Sequence, residues 1–294
     1  MIVTKLQGGH SNQLFQYAAA RNLAMRLGVE LYMDRQWFST IAEGDTTRVY
    51  ELDGYKLEQA FIASESFTLA ETRRRPSKLR RLLAGAPPKP VLEHYRQQGH
   101  GFDDHVLRLP DDSYLEGWWQ DERYFQDIRQ TLLEEIELKD AVTGEDAERL
   151  RRIRDGVSVS VHVRRGDYVT NPATRAFHGV LGADYYAASL QRLAEMTGER
   201  DLELFVFSND IDWCKQQLRL GYRTTFVDSD NSGAEDMRLM KECRHHVIAN
   251  SSFSWWGAWL SDHPGKVVIA PKNWFSNPDA NAETEIVPAS WLRL

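Results

Sequence analysis

The stretch "VSVSVHVRRGDYV", residues 157–169, combines an apolar repeat with a cluster of charged residues. From Val157 to Val163 valines alternate with polar residues, which predicts a buried β-strand. Arg164, Arg165 and Asp167 then crowd the point where the strand ends. Guanidinium groups stay charged and grip phosphate oxygens through paired hydrogen bonds. We therefore predict an anion-binding site at this strand end, with Asp167 orienting an arginine. The alternative is a simple salt bridge at the surface.

The rest of the second half alternates strands with helices. Strands are predicted at 157–163, 203–207, 224–227, 247–249 and 266–270, and helices near 183–196, 211–218, 234–244 and 254–261. Short connections between them predict a parallel sheet covered on both faces. Ligands of such sheets bind outside the carboxyl ends of the strands. The loops that follow the strands are rich in polar residues, so we expect the chemistry at this edge.

The first half has weaker patterns. We predict a strand at 2–5, a helix over 12–28 capped by Asn12, a strand at 29–34, and a strand in 113–125 that runs into a helix continuing to 138. The basic run at 72–81 favours a solvated helix face, and 85–90 is rich in proline. The charged stretch 139–155 predicts a domain boundary, which divides the chain into 1–152 and 153–294.

Composition limits the classes of function. A net charge of −7 argues against a general nucleic-acid or membrane-surface binder, so a local cluster must hold any anionic ligand. Cys214 and Cys243 are the only cysteines and form no CxxC pair, as expected of a protein in a reducing cytosol without disulfides or structural zinc. The start lacks a signal-peptide pattern, and no apolar run reaches the roughly 18 residues of a membrane span. We expect a soluble cytoplasmic protein.

A second anion-binding feature is "NSSFSWWGAW", residues 250–259. Ser251 and Ser252 lie between a strand and a helix, where hydroxyls and backbone N–H groups form a phosphate site. One of the two serines is also expected to cap the helix. Three tryptophans on successive turns of this helix are predicted to pack in the core: Trp255, Trp256 and Trp259.

Several other motifs are absent or weak. The "DSD" at 228–230 imitates an Asp-x-Asp metal motif, but the arginine cluster already offers phosphate neutralisation, so we expect no metal. "QGGHSNQ", residues 7–13, lets the backbone approach a ligand closely but is not G-x-G-x-x-G, which disfavours NAD-linked redox chemistry. ATPase, zinc-protease and α/β-hydrolase motifs are also missing.

Three segments together resemble the inverting α-1,2-fucosyltransferase family, glycosyltransferase family 11: "GGHSNQLFQYAAAR" (8–21), "HVRRGDY" (162–168) and "NSSFSWWGAWL" (250–260). "GWWQDERYF" (117–125) and "FSND" (207–210) are similar to further family segments. The resemblance implies an α/β fold of the GT-B type, two Rossmann-like lobes facing across a cleft. Residues 1–152 would face the acceptor and 153–294 would bind the donor. The implied donor is GDP-β-L-fucose, and the acceptor is a galactose-terminated glycan fucosylated at its 2-hydroxyl without a metal.

The resemblance also implies roles for individual residues. Arg164 would be catalytic on the diphosphate, with His162 near the nucleotide. Asp236, sixteen residues before Ser252, would read guanine, because a carboxylate accepts hydrogen bonds from N1–H and the exocyclic amine together. The predicted donor set is Gly8, Gly9, Asn12, His162, Arg164, Arg165, Asp167, Ser208, Asp236, Ser251, Ser252 and Phe253. The predicted acceptor set is His10, Trp119, Gln120 and Tyr124.

Some questions stay open. The family loop reads G-G-L-G-N-Q, so if its last glycine needs a positive φ, Ser11 would be strained by about 1 kcal/mol or more. Glu116, Asp121 and His10 are all candidates for the general base. The alternatives to the fucosyltransferase prediction are a transferase of the same fold that uses another sugar nucleotide and a non-catalytic protein that binds a nucleotide or glycan.

Overall fold

The computed structural model describes residues 1–40, 48–70, 89–228 and 231–294. The basic run at 72–81, most of the proline-rich segment and two residues of "DSD" lie outside these ranges. The chain forms two compact units, Met1–Glu137 and Leu138–Leu294. Helix Gly144–Asp155 packs against strand Val157–Val163 and helix Gly233–Glu242 and so belongs to the second unit. The division therefore falls before this helix, whereas the sequence pattern predicts it between residues 152 and 153.

The first unit contains a parallel five-stranded sheet of order β2-β1-β5-β4-β3. Its strands are β1 Ile2–Lys5, β2 Leu31–Asp34, β3 Thr68–Ala70, β4 Val91–Arg96 and β5 Ser113–Glu116. Its α-helices are α1 His10–Leu27 and α2 Arg129–Glu135, and single 3₁₀ turns span Gln36–Ser39, Ser64–Ser66, Asp104–Arg108, Glu122–Tyr124 and Gln126–Ile128. Helix α1 is buried along most of its length, and Gly28 ends it as predicted.

Two predictions in this unit are wrong. A continuous helix does not follow β5, because Trp119 takes a positive φ of 52° and Asp121 starts a separate 3₁₀ turn by accepting the backbone N–H of Arg123. Asn12 does not cap α1, since the helix already begins at His10 with Gly9 in the N-cap position. Ser11 is therefore helical, and the strain considered for it does not arise.

The second unit contains a parallel six-stranded sheet of order β11-β10-β9-β6-β7-β8. Its strands are β6 Val157–Val163, β7 Leu202–Ser208, β8 Arg223–Phe226, β9 His245–Val247, β10 Val268–Ala270 and β11 Leu292–Arg293. Its helices are α3 Gly144–Asp155, α4 Gly166–Thr170, α5 Pro172–His178, α6 Ala183–Thr197, α7 Ile211–Gln217, α8 Gly233–Glu242, α9 Ser252–Leu260 and α10 Pro278–Glu283. All five predicted strands and four predicted helices are present, with β9 two residues earlier than predicted.

Both faces of this sheet are covered. Val159, Val161 and Val163 pack with apolar residues of α6 and α7 on one face. Phe205 and Phe207 pack with residues of α3 and α8 on the other. The tryptophans of α9 are buried as predicted. Strand β6 is thus a central strand, buried from Ser158 to Val163. Its carboxyl end lies between the carboxyl ends of β7 and β9.

Two further predictions can be compared with the structure. Cys214 and Cys243 are both buried and free, which confirms the absence of a disulfide between them. Within the described ranges, no helix combines the length and the apolar character needed to cross a bilayer.

Candidate active site

Arg164 is the first residue beyond β6. Its Nη2 donates to Asp167 Oδ1 at 2.6 Å, so Asp167 orients it as predicted. The guanidinium carbon lies 5.1 Å from the centre of the Tyr168 ring. Among the described residues no hydrogen-bond partner is found for its buried Nε. The arginine is held on one side and keeps unused donor capacity on the other.

Arg165 points to a different segment. Its Nε donates to Asp210 Oδ2 at 3.0 Å, and its guanidinium carbon lies 4.0 Å from the centre of the Trp213 ring. The backbone N–H of Arg165 donates to Asn209. These contacts anchor Arg165 to the loop and helix after β7. The structure thus separates the two arginines, and Arg164 keeps a buried guanidinium nitrogen, Nε, without a partner among the described residues.

Gly166 makes the turn between them possible. Its φ of +29° lies in the region that favours glycine, and the side chain of Asn209 occupies the space that a Cβ would need. Helix α4 starts at this residue and carries Asp167 and Tyr168 back toward Arg164. The sequence "RRGDY" thereby sends two neighbouring arginines to two different environments.

His162 lies on the buried face of β6, with only 4% of its surface exposed. Burial, and secondly the charge of Arg164, lowers its pKa to about 3, so the ring is neutral at physiological pH. Its Nδ1 is buried without a partner among the described residues. The ring centre lies 5.4 Å from that of Phe253. His162 therefore offers a neutral hydrogen-bonding group next to Arg164.

Phe253 brings the starts of two helices to the same place. Its Cε2 lies 3.4 Å from where a Cβ of Gly233, the first residue of α8, would be. Ser251 holds the N-cap position of α9, but no side-chain hydrogen bond caps this helix, so the predicted serine cap is wrong. The start of α9 thus has no side-chain cap, and the positive end of a helix dipole suits an anion.

Asp236 lies in the first turn of α8 and accepts a hydrogen bond from Asn231 Nδ2 at 3.2 Å. Burial raises its pKa to about 6. A cavity of about 380 Å³ reaches its partner Asn231 and the preceding residue Glu235, whereas Asp236 itself is not part of the lining. The cavity is lined by Ala141, Val142, Thr143, Glu145, Asp146, Arg149, Asn231, Glu235 and Arg238. The charges of Asp146 and Arg149 act on Asp236 in opposite directions.

Ser208 ends β7 directly opposite Val163 of β6, and its hydroxyl accepts the backbone N–H of Asp210. The second unit therefore brings most of the predicted donor-binding residues to one sheet edge. They are His162, Arg164, Arg165, Asp167, Ser208, Asp236, Ser251, Ser252 and Phe253. "DSD" contributes only Asp228 to the described residues, and Asp228 is paired with Lys215.

The other predicted donor residues lie in the first unit, in the loop after β1 and the start of α1, together with His10. Gly8 has a φ of +76° and Gly9 precedes the helix. Asn12 Oδ1 accepts a hydrogen bond from Gln120 Nε2 at 2.8 Å. His10 is buried with Nε2 2.8 Å from Tyr55 Oη, and burial lowers its pKa to about 4.

Trp119 and Tyr124 are fully buried, with ring centres 5.6 Å apart. The Tyr124 hydroxyl accepts the backbone N–H of Asp103 at 2.7 Å. Both side chains therefore lie in the core of the first unit. Trp118 is instead 40% exposed. The sequence does not reveal which of two adjacent tryptophans faces solvent when the chain leaves its strand.

The acidic candidates for the general base are engaged by cations. Glu116 accepts hydrogen bonds from Lys5 at 2.9 Å, His94 at 2.8 Å and Arg96 at 3.0 Å. Burial would raise its pKa, but the hydrogen bonds from Lys5 and Arg96 prevail and lower it to about 2. Asp121 pairs with Arg123. The lowered pKa makes Glu116 a weak base.

Two residues near Arg164 were not singled out from the sequence. The rings of Tyr168 and His178 stack with centres 4.6 Å apart and an interplanar angle of 14°. Tyr168 Oη donates to the carbonyl of Asn250, next to Ser251. Tyr168 thus links Arg164 to the start of α9. Tyr168 belongs to the "RRGDY" motif and could have been found from the sequence. The contact of His178 depends on how α4 and α5 pack, which no sequence pattern indicates.

Several known glycosyltransferases are similar to this chain. The model of Glycosyl transferase family 11 matches residues 89–294. The chain is 31% identical to an alpha-1,2-colitosyltransferase of Escherichia coli, covering 100% of this chain and 99% of that protein. It is 28% identical to the E. coli O-antigen biosynthesis glycosyltransferase WbnK, covering 98% and 99%. A crystal structure of POFUT1 with GDP is similar with a TM-score of 0.48 and 12% identity, covering 91% of this chain and 97% of that one. A family match over more than half of the chain and a relative similar over its whole length make this protein a glycosyltransferase of family 11.

Proposed function

We propose that the protein is a galactoside α-1,2-L-fucosyltransferase. It transfers fucose from GDP-β-L-fucose to the 2-hydroxyl of a terminal galactose, with inversion and without a metal ion. The observation that carries the proposal is the convergence, at one sheet edge, of Arg164 with its unpartnered Nε, His162 with its unpartnered Nδ1 and the uncapped start of α9. Positive charge and free donors in a partly buried site suit a diphosphate.

The chemistry follows from that charge. The bond between fucose C1 and the β-phosphate oxygen breaks, and GDP leaves with the electron pair. The acceptor oxygen bonds to C1 from the opposite face and releases its proton. Arg164 neutralises the charge that develops on the leaving phosphate, which is the kind of preorganised stabilisation that dominates many enzymatic rates. When departure of GDP leads, the transition state resembles an oxocarbenium ion and needs little help from a base. This agrees with the pairing of Glu116 and Asp121 with cations.

Recognition of guanine is proposed for Asp236. A carboxylate accepts two hydrogen bonds from guanine, and the cavity of about 380 Å³ next to Asn231 and Glu235 is large enough for part of a nucleotide. The Asn231 amide holds the carboxylate from one side. Ser251, Ser252 and Phe253 would contact the phosphates, and Arg165 would keep the loop in place.

The two parallel-sheet units support a GT-B arrangement as the proposed architecture. The second unit would bind the donor, and the first unit would present the acceptor near Gln120 and His10. Gly8, Gly9 and Asn12 are proposed as donor contacts from the first unit. The buried positions of Trp119 and Tyr124 favour a supporting role, in which they shape the surface next to Gln120.

The test is transfer to a panel of β-galactosides. GDP-fucose, with and without EDTA, should give a 2-O-fucosylated product with α configuration, identified by NMR. Activity that survives EDTA would support the metal-free mechanism, and loss of activity that added Mn²⁺ or Mg²⁺ restores would contradict it. GDP binding without turnover on any galactoside would contradict the proposed activity.

A second candidate donor is nucleotide-activated colitose, because a relative that is similar over its whole length is named alpha-1,2-colitosyltransferase. Colitose is fucose without its 3-hydroxyl. A site that hydrogen-bonds a hydroxyl rejects the analogue that lacks it by large factors, whereas a site that does not will accept both sugars. Competition between GDP-fucose and GDP-colitose for one galactoside decides which donor the enzyme uses.

A further inference from the structure

Trp118 is the one tryptophan of the nine that is exposed to solvent. All nine lie in the described ranges, and the other eight are buried or half-buried. Trp118 follows β5 at the carboxyl edge of the first sheet, where ligands of parallel sheets bind. An exposed indole at a ligand edge is a candidate contact surface rather than part of the core.

The loop that carries Trp118 is fixed from several sides. Gln97 Oε1 accepts the backbone N–H groups of Trp118 at 2.7 Å and Trp119 at 3.1 Å. Gln16 Nε2 donates to the carbonyl of Gly117 at 3.2 Å. Trp119 takes the left-handed conformation with its indole fully buried. Such strain persists only where the surroundings enforce it and is concentrated at functional sites.

A polar group lies beside the exposed indole. A Cβ on Gly8 would lie 3.0 Å from Trp118 Cζ3 and 2.7 Å from Asn12 Nδ2, so the ring and the amide adjoin above this glycine. Asn12 is in turn hydrogen-bonded to Gln120. An aromatic face flanked by amides is the usual composition of a site for a small polar ligand with one apolar face.

We infer that Trp118 is the stacking platform for the acceptor sugar, with the Gln120 amide, which Asn12 holds in place, beside its hydroxyl groups. The ligand class is a pyranose with a continuous C–H face. Galactose has such a face at C3, C4 and C5, because its 4-hydroxyl is axial. The inference rests on the proposed function and adds a specificity-determining residue to it.

Kinetics with a β-galactoside test this assignment. Trp118→Ala should raise the acceptor KM about tenfold, as expected for the loss of one aromatic contact, and should leave kcat within about twofold. The affinity for GDP should not change. Trp118→Phe should retain part of the acceptor affinity. Leu69→Ala, a comparably exposed apolar residue of β3 in the same unit, is the matched control and should change none of these values.

Saturation-transfer NMR gives a second readout that needs no turnover. The wild-type protein should transfer saturation to the C–H protons of galactose, and Trp118→Ala should lose that signal while its melting temperature stays near wild type. An unchanged acceptor KM together with an unchanged galactose signal would overturn the role of Trp118. Failure of the wild type to transfer fucose while the galactose signal depends on Trp118 would contradict the proposed activity alone. No galactose signal with the wild type would overturn both.

Discussion

The carboxyl edges of the two sheets differ in how their charges are used. In the second unit, Arg164 and His162 each keep a buried nitrogen without a partner in the described structure. In the first unit, Glu116 is surrounded by Lys5, His94 and Arg96, which donate to it. The first edge thus neutralises Glu116 with its own cations, whereas the second edge keeps the cationic Arg164 with a buried nitrogen available to a ligand.

This difference has an energetic meaning. A buried polar group without a partner costs about 1–3 kcal/mol, so a fold keeps one only where other interactions outweigh the cost. An anion that accepts hydrogen bonds from such groups recovers that cost on binding. The difference supports the proposal that the second edge binds a phosphate-bearing ligand and the first an uncharged one such as a sugar.

The largest expected effect comes from removing the cation at the second edge. Arg164→Ala should lower kcat about 100- to 1000-fold, because it removes charge stabilisation of the leaving phosphate. Arg164→Lys should not restore the rate, since lysine lacks the planar fork that Asp167 and Tyr168 position. Steady-state kinetics with GDP-fucose measures both variants.

Arg151→Ala is the matched control for this experiment. Arg151 is an exposed arginine of α3 that pairs with Glu148 and Asp155 on the surface, and such pairs contribute little. It should behave as wild type. Near-normal turnover by Arg164→Ala would show that the second edge is not the catalytic one.

A smaller effect is expected for Asp236. Asp236→Asn should weaken GDP binding about tenfold and leave UDP binding unchanged, because an amide cannot accept both guanine hydrogen bonds. The pKa of Asp236 is raised to about 6, so wild-type GDP affinity should fall as the pH drops below 6 and the carboxylate becomes protonated. The variant should lack this pH dependence.

Calorimetric titration of GDP and UDP between pH 5 and 8 tests whether Asp236 recognises guanine. A GDP affinity that is equally sensitive to pH in Asp236→Asn and wild type would assign the titration to another group. Equal weakening of GDP and UDP would remove Asp236 from guanine recognition.

The smallest effect on catalysis is expected at the first edge. Glu116→Gln should change kcat less than about threefold, because a carboxylate with a pKa of about 2 is a poor general base. Its folded-state pKa lies below the ordinary value of 4.5, so its contribution to stability is complete above pH 4.5 and is lost as the pH falls toward 2. The difference in melting temperature between wild type and variant should shrink over that interval. A hundredfold loss of kcat would instead identify Glu116 as the base.

The sequence predicted the second unit better than the first for a physical reason. Buried parallel strands have a continuous apolar pattern. The polar residues that follow them lie at one edge of the sheet whatever conformation the loops adopt. That is why Arg164, His162 and the serines of 251–252 were found together. The first unit depends on single backbone choices, such as the left-handed Trp119, which no periodic pattern encodes.

The sequence pattern also could not predict the environments of individual side chains. Arg164 and Arg165 are equivalent in the sequence, and only the turn at Gly166 and the position of Asn209 separate them. Asn12 was expected to cap a helix that in fact starts at His10, because the buried His10 and Ser11 join the helix despite their modest helix propensity. Tertiary contacts decide both cases.

GDP and GMP differ only in the β-phosphate, so a comparison of their affinities tests whether the second edge binds the diphosphate. Isothermal titration of both ligands to wild type and Arg164→Ala measures what Arg164 contributes to that phosphate. We predict that wild type binds GDP at least about tenfold more tightly than GMP, and that Arg164→Ala loses this difference while its GMP affinity is unchanged. An undiminished preference for GDP in the variant would contradict the assignment of Arg164 to the diphosphate.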